Sequence, residues 1–332
     1  MSDLQVIFGS GPLGRSVMQA ALEKGYRVRV VNRSGQMQSA PQGIELLSGN
    51  CLDVDTVRRM TQGATVVYQC AQPEYHEWPE KFPPLQAAIL EGVAASAAKL
   101  VIGENLYMYG DTDGKLLTED LPYAAQTRKG KTRAAMSQAA LAAHRSGKLR
   151  VAIGRASDFF GPYVLDSALG DRAIYPALAG KSASLGGRLD IPHTYTFIED
   201  FGKALVILGE RDQALGQAWH VPNDQPAITQ RQLMSLFFEE SGQPPKLSAV
   251  SKNMMRLAGL FVPGAREMVE MMYEFEKPFI VDSSKFEQAF NMQPTPLRTA
   301  VKKTIAWYRA HPKTTPKQAS QIPESAPASA QD

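Results

Sequence analysis

The sequence predicts an α/β protein built on a doubly wound parallel sheet, with a smaller mixed C-terminal domain. Three observations predict it. Short β-rich runs alternate with helix-length segments through the first half of the chain. A glycine turn, GSGPLG at 9–14, joins the first run to the first helix. After Gly154 the alternation gives way to Gly- and Pro-rich sequence. Strands that alternate with helices pair in parallel through right-handed crossovers, which put helices on both faces of the sheet.

The first strand is LQVIF (4–8), followed by a helix over 12–24. YRVRVV (26–31), IELL (44–47), ATVVYQC (64–70), KLVIG (99–103) and LRVAIG (149–154) supply five more strands, with helices over 53–61, 80–98 and 131–146 between them. IPHTYTFIED (191–200) alternates before a helix over 200–209, and QAWHVP (217–222) reads as a strand returning to the sheet. Thr229 is the expected N-cap of a helix over 229–241. From 247 to 290 the chain is rich in Met and aromatic residues, spaced as in helices on either side of Pro263. That block reads as a core helix pair capping a cleft, with a membrane-surface face or a dimer face as the alternatives. Residues 311–332 carry almost no large apolar side chains and many Pro, Ser, Gln and Ala, the composition of a disordered tail.

A chain of 332 residues with 44% apolar and 21% charged side chains can bury a substantial core. Lys and Arg number 36 against 33 Asp and Glu, and no basic block is interleaved with aromatics, so nucleic acid is not an expected partner. No window of 18 uncharged apolar residues occurs, and MSDLQVIFGS enters a strand without a basic leader, so no membrane partner is expected and the cytoplasm is the default location. Cys51 and Cys70 lie at the edges of apolar segments without metal-ligand spacing; structural roles and no metal are expected.

GSGPLG has the form GxGxxG between a strand and a helix, the context in which its mechanism operates. Gly9 permits the tight turn, Gly11 removes a side chain from the path of a pyrophosphate, and Gly14 lets helix and strand approach. Pro12 and Leu13 open the helix whose free N–H groups face the phosphates. This is the dinucleotide turn of a Rossmann-type sheet. The second strand ends in VVNRSG, so Asn32, Arg33 and Ser34 stand where an NAD-selective site has an acid. A guanidinium there can bind a ribose 2′-phosphate that a carboxylate would repel, and the cofactor expected is NADP, with NADPH preferred over NADH. In GNCLD (49–53), Leu52 can cover the adenine ring, and Asp53 can bond its amino group or cap the next helix. CAQP (70–73) ends the fourth strand at the sheet edge where ligands sit, placing Ala71 and Gln72 beside the cofactor.

Taken together, GSGPLG, GNCLD, YMYG (107–110), RASDFFGP (155–162) and IPHTYTFIEDFGKAL (191–205) resemble, in order and spacing over roughly 3–310, the extended short-chain dehydrogenase/reductase superfamily, in its NAD(P)-dependent epimerase/dehydratase branch. The resemblance implies that Ala156, Ser157, Phe159 and Phe160 pass the nicotinamide. It also implies a division into a dinucleotide domain (1–160 with 195–225) and a substrate domain (161–194 with 226–310). Such enzymes use a Ser or Thr, a Tyr that passes the proton, and a Lys four residues later that lowers the tyrosine's pKa and holds the ribose. Here KGKTRAAMS puts Lys129 in the tyrosine slot and Arg133 in the lysine slot, while Asn105 stands at the serine position.

With Lys131 nearby, Lys129 and Arg133 would form a cationic cluster that lowers the pKa of Lys129 and makes it a candidate proton donor. Tyr107 is the other available phenol, and Tyr109 takes the structural place in the YG pair; either can equally be a packing residue. His76 and Trp78 in EYHEWPEKF, and His193 in PHTYTF, are expected in loops bordering a substrate cleft. Two readings follow. One is an atypical NADPH-dependent oxidoreductase on a small, fairly apolar carbonyl or hydroxyl compound; the other is an inactive NADPH-sensing regulatory protein. Nucleotide-sugar epimerisation is less expected, because it depends on the absent Tyr and Lys. The Ala-rich helices over 85–98 and 134–143 can pair across a homodimer, as in the family, or pack on the sheet.

Overall fold

The computed structural model describes residues 3–261 and 263–313. Its centre is a seven-stranded sheet made of β1 (Leu4–Phe8), β2 (Arg27–Asn32), β3 (Glu45–Ser48), β4 (Ala64–Gln69), β5 (Lys99–Glu104), β6 (Arg150–Arg155) and, after the short strands β7 (Asp158–Phe160), β8 (Ala183–Gly186), β9 (Pro192–His193) and β10 (Tyr195–Phe197), β11 (Ala218–His220). The spatial order is β11-β6-β5-β4-β1-β2-β3, and every neighbouring pair is parallel. The direction of winding reverses between β1 and β4, so the loops leaving these two strands diverge and open a crevice at their carboxyl ends.

Both faces of the sheet are covered. On one side Ile7, Val28 and Val66 pack with helices α1 (Pro12–Glu23) and α6 (Ile198–Glu210). On the other side Val6, Phe8 and Val67 pack against α2 (Val54–Met60), α3 (Trp78–Ala94) and α4 (Arg128–Arg145). Burial on both faces is why the centres of β1, β4, β5 and β6 read as apolar runs. α1 and α6 meet without a gap: a Cβ on Gly202 would lie 2.1 Å from Ser16 Oγ, and that hydroxyl donates to the Ile198 carbonyl at 2.7 Å.

A second apolar cluster forms beyond the sheet from α5 (Asp171–Leu178), α7 (Gln230–Ser241) and α11 (Leu297–Ala310), around Phe160, Ile174, Phe237, Phe238 and Tyr308. β8 pairs there in parallel with β13 (Leu247–Val250), and β9 pairs antiparallel with β12 (Ile228–Thr229). Thr229 caps α7 in a reciprocal capping box with Gln232.

Three expectations change. α3 starts at Trp78 rather than Glu80 and stops at Ala94, with Pro79 in its first turn, where a missing N–H costs nothing. α4 starts at Arg128, because the Thr127 hydroxyl accepts from the Gly130 N–H at 3.1 Å; Lys129 therefore lies in the first helical turn. The Met-rich block is only half core. Met271, Met272, Phe275 and Phe279 are buried, whereas Met254, Leu257, Leu260 and Phe261, on and just after α8 (Lys252–Ala258), are exposed by 56%, 65%, 73% and 84%. α8 packs chiefly on α9 (Pro263–Val269) and buries none of its own side chains. The tail expected to be disordered lies, from residue 314 on, outside the described residues.

Candidate active site

The glycine turn leaves β1 at the crevice. Gly9 has φ of +103°, and a Cβ there would lie 2.7 Å from the Ala71 nitrogen. A Cβ on Gly14 would fall 2.0 Å from the Gly9 carbonyl oxygen, so no larger residue lets α1 pack against its own turn. One on Gly11 would meet nothing within 4 Å, and Gly11 caps α1 without a side-chain hydrogen bond. The turn therefore presents open backbone and a helix N-terminus of positive potential. These residues fit a dinucleotide pyrophosphate.

Asn32 shapes the next loop instead of projecting from it. Its Nδ2 donates to Ser10 Oγ and the Gln36 carbonyl, both at 2.8 Å, and its Oδ1 accepts from the Ser34 and Gly35 N–H groups at 3.1 and 2.7 Å. Arg33 and Ser34 are exposed on that loop. Leu52 is 50% exposed, and Asp53 caps α2 by accepting from the Asp55 and Thr56 N–H groups. Ala71 packs under Gly9, and Gln72 is exposed beyond it. Ala156 and Ser157 are buried; the Ser157 hydroxyl donates to the Thr194 carbonyl at 2.6 Å, while Phe159 is half-buried beside Phe201.

The cationic cluster expected around Lys129 is replaced by something different. Lys131 points to solvent. The Lys129 ammonium is fully buried, donates to Glu270 Oε1 at 2.8 Å and to Glu267 Oε2, and lies 4.4 Å from the centre of the Tyr75 ring. Burial pushes the Glu267 carboxyl up, but its hydrogen bond to Lys129 and the nearby cations outweigh this and hold it below the usual range. With two carboxylates as its neighbours, Lys129 lacks the like-charge cluster on which a donor role depends.

Arg133 is also displaced from its expected role. Its guanidinium is buried over the Phe82 ring at 4.6 Å, with Nη2 at 3.6 Å from Glu104 Oε1, closed off from solvent. Glu104 also accepts from Arg155 Nε at 3.1 Å, and Arg155 donates to Tyr109, Tyr123 and Ser137. Tyr109 meets His220 Nε2 at 2.9 Å, so it belongs to this buried network.

Tyr75, Trp78 and Tyr107 form an aromatic cluster. Tyr107 and Tyr75 share a hydroxyl–hydroxyl hydrogen bond of 3.2 Å, and Trp78 packs on both rings. Burial raises the Tyr107 phenol well above its ordinary value, and the nearby Tyr75, Glu274 and Asp158 add to the effect. Asn105 Oδ1 accepts from the Tyr107 N–H at 3.4 Å.

Of the three residues expected in cleft loops, only His76 is exposed, near Glu74. Trp78 is buried at the head of α3, its indole N–H donating to the Pro73 carbonyl. His193 is buried in β9, stacked between Phe275 and Phe279 with centroids 5.0 Å away on either side. Its Nδ1 faces the Glu274 carbonyl at 3.1 Å, which can only accept, so Nδ1 carries hydrogen. Its Nε2 lies 2.8 Å from Asp158 Oδ2, within hydrogen-bonding distance. Asp158, at 20% exposure, is the more open of the two. Tyr195 OH, Tyr273 OH and Glu274 Oε1, all buried, have no hydrogen-bond partner among the described residues. Burial, followed by the charge of Asp158, holds the Glu274 carboxyl well above its ordinary range.

The residues that sequence reasoning missed are Tyr75, Asp158, Glu267, Glu270 and Glu274. Asp158 was legible in part, since it directly follows Ala156 and Ser157 in RASDFFGP. The glutamates reach the site from a distant segment that carries no motif.

A family model described as the NAD dependent epimerase/dehydratase family matches residues 6–221. The sterol-4-alpha-carboxylate 3-dehydrogenase, decarboxylating, of Mus musculus is 28% identical over 236 residues, covering 67% of this chain and 64% of that protein. The Homo sapiens protein of the same name is 28% identical and matched over 62% of its length. This chain thus spans less than two thirds of these relatives. Among solved structures, dTDP-glucose 4,6-dehydratase from Bacillus anthracis, in complex with NAD, superposes with a TM-score of 0.76 at 15% identity, covering 93% of this chain and 97% of that one. UDP-glucose 4-epimerase from Thermotoga maritima, with UDP-glucose, gives 0.75 at 17% identity, covering 92% and 99%. At such identities the likeness concerns the fold alone.

Proposed function

The chain belongs to the NAD dependent epimerase/dehydratase family, and from that premise we propose that it is an atypical NADP(H)-binding oxidoreductase acting on a small, fairly apolar carbonyl or hydroxyl compound. The observation that carries the reading is the open glycine turn, with exposed Arg33 and no carboxylate at the tip of β2. Gly9, Gly11 and Gly14 would hold the pyrophosphate, Leu52 the adenine face and Arg33 the 2′-phosphate. A nicotinamide bound there supplies or accepts the hydride.

The chain's own residues would handle the proton. Asn105 and Tyr107 hydrogen-bond the substrate oxygen, and Asp158 takes the hydroxyl proton, or returns it, while His193 fixes its orientation. Lys129 and Arg133 act as positioning residues. Nucleotide-sugar epimerisation is disfavoured because Lys129 and Arg133 stand where it depends on a Tyr and a Lys. The saturated Lys129 ammonium favours one other reading, an NADPH sensor without turnover.

Calorimetry with NADPH and NADH, followed by NADPH oxidation with a panel of aldehydes, ketones and quinones, tests both. Turnover lost in Asp158→Asn and reduced in Tyr107→Phe supports the oxidoreductase. Tight NADPH binding with no turnover favours the sensor, and tighter NADH binding would overturn the cofactor assignment.

A further inference from the structure

Met254, Leu257, Leu260 and Phe261 form the most exposed group of large apolar side chains among the described residues. Met254, Leu257 and Phe261 recur at i, i+3 and i+7, so α8 and the turn after it present one apolar ridge. The charge carried by the segment itself is of one sign. Between 251 and 266 stand Lys252, Arg256 and Arg266, with no Asp or Glu. The next carboxylates, Glu267 and Glu270, are turned inward onto Lys129 and Arg128. Lys252 lies 3.6 Å from Glu276, and Arg256 donates to Asn253, while Arg266 is exposed.

We propose that this ridge is a peripheral docking surface for an anionic lipid bilayer. Soluble proteins rarely leave contiguous apolar side chains in water without a surface that covers them. A second copy is a poor cover, because two-fold pairing through this ridge gathers Arg256 and Arg266 of both copies at one interface with no carboxylate from the segment between them. An anionic bilayer complements both features: the apolar side chains enter below the headgroups and the cations meet lipid phosphates and carboxylates. No helix among the described residues is long and apolar enough to cross a membrane, so the attachment is to the surface.

Flotation of the full chain with vesicles of phosphatidylcholine mixed with phosphatidylserine, and with vesicles of phosphatidylcholine alone, tests the proposal. The protein is expected to float with the mixed vesicles, much less with the neutral ones, and less again as salt rises. Arg256→Ala and Arg266→Ala are each expected to weaken partitioning about fivefold. The double variant Leu260→Asp with Phe261→Asp is expected to lose it while melting like the parent, since both side chains are exposed. Three results overturn the proposal: no flotation with either vesicle, flotation that survives the double substitution, or self-association that the double substitution disperses in protein that ignores vesicles. None of these depends on turnover, so they leave the oxidoreductase reading to its own test.

Discussion

Replacing Lys129 with methionine keeps the volume and removes the charge. Its partners then keep only the exposed Arg128 as a cation, although Glu267 and Glu270 have side chains only 8% and 19% exposed. Breaking a buried pair from one side costs about 3–5 kcal/mol. The cost has a ceiling, because a stranded carboxylate can bind a proton. With an ordinary value of 4.5 for Glu267, protonation at pH 7 costs about 1.4 kcal/mol for each of about 2.5 units, or about 3.4 kcal/mol. The defect therefore depends on pH. At pH 7 the variant should melt on the order of 5–10 °C below the parent. At pH 5 the gap should shrink to about a quarter of that, since protonation is then nearly free.

The parent behaves in the opposite sense. The Glu267 carboxyl is held low in the folded chain, so its contribution is complete above about 4.5 and is lost as pH falls through the folded value. The triple variant Lys129→Met, Glu267→Gln, Glu270→Gln should recover most of the loss, because neutral groups need no counter-charge. Thermal melts at the two pH values decide the matter. A Lys129→Met protein that melts with the parent at pH 7, or that loses the same amount at both pH values, would refute the buried-pair argument.

Gly14→Ala should abolish dinucleotide binding in calorimetry and lower stability by at least about 1–3 kcal/mol, since its Cβ falls 2.0 Å from the Gly9 oxygen; a variant that binds normally would mean the turn adopts another shape. Arg33→Glu should weaken NADPH by tenfold or more, on the order of 1.4 kcal/mol, and leave NADH unchanged or tighter; equal losses for both would sink the 2′-phosphate assignment. His220, buried and beside Arg155, has its pKa pulled down to about 3. Stability should therefore fall by up to about 1.4 kcal/mol per pH unit below about 6.5, and His220→Gln should flatten that slope in urea titrations.

The sheet was legible in the sequence because its physics is local. Strands buried on both faces are largely apolar, as β1 is apart from Gln5, and a turn that Gly9 and Gly14 close through backbone contacts admits no other residue. The site was legible only where the chain itself brings residues together. Asn105 and Tyr107 share a strand end, and Lys129 and Arg133 share a helix, but the sequence is silent on what faces them. It implied that Lys129 sits among cations because its neighbours in sequence are cations; a helix turns Lys131 outward and leaves Lys129 to meet Glu267 and Glu270. His193 and Trp78 looked like loop residues because polar and turn-forming neighbours surround them, yet stacking and an indole hydrogen bond carry both inside. The Met-rich block misled in the other direction. Apolar helical spacing marks a face that seeks cover, without saying whether the protein itself provides it.

The clamp on Lys129 also imposes an order on synthesis. Its carboxylates come 138 and 141 residues later in the chain. A ribosome that has released α4 has delivered the cation but not its counter-ions, and during that interval Lys129 must stay hydrated, which keeps the start of α4 from docking. The sheet half can collapse early, as N-terminal portions of large proteins generally do. The crevice then stays open until α9 arrives and neutralises it. Nascent chains truncated just before Glu267 should thus present a folded sheet with a wet, protease-sensitive start to α4, and the arrival of α9 becomes the event that seals the site.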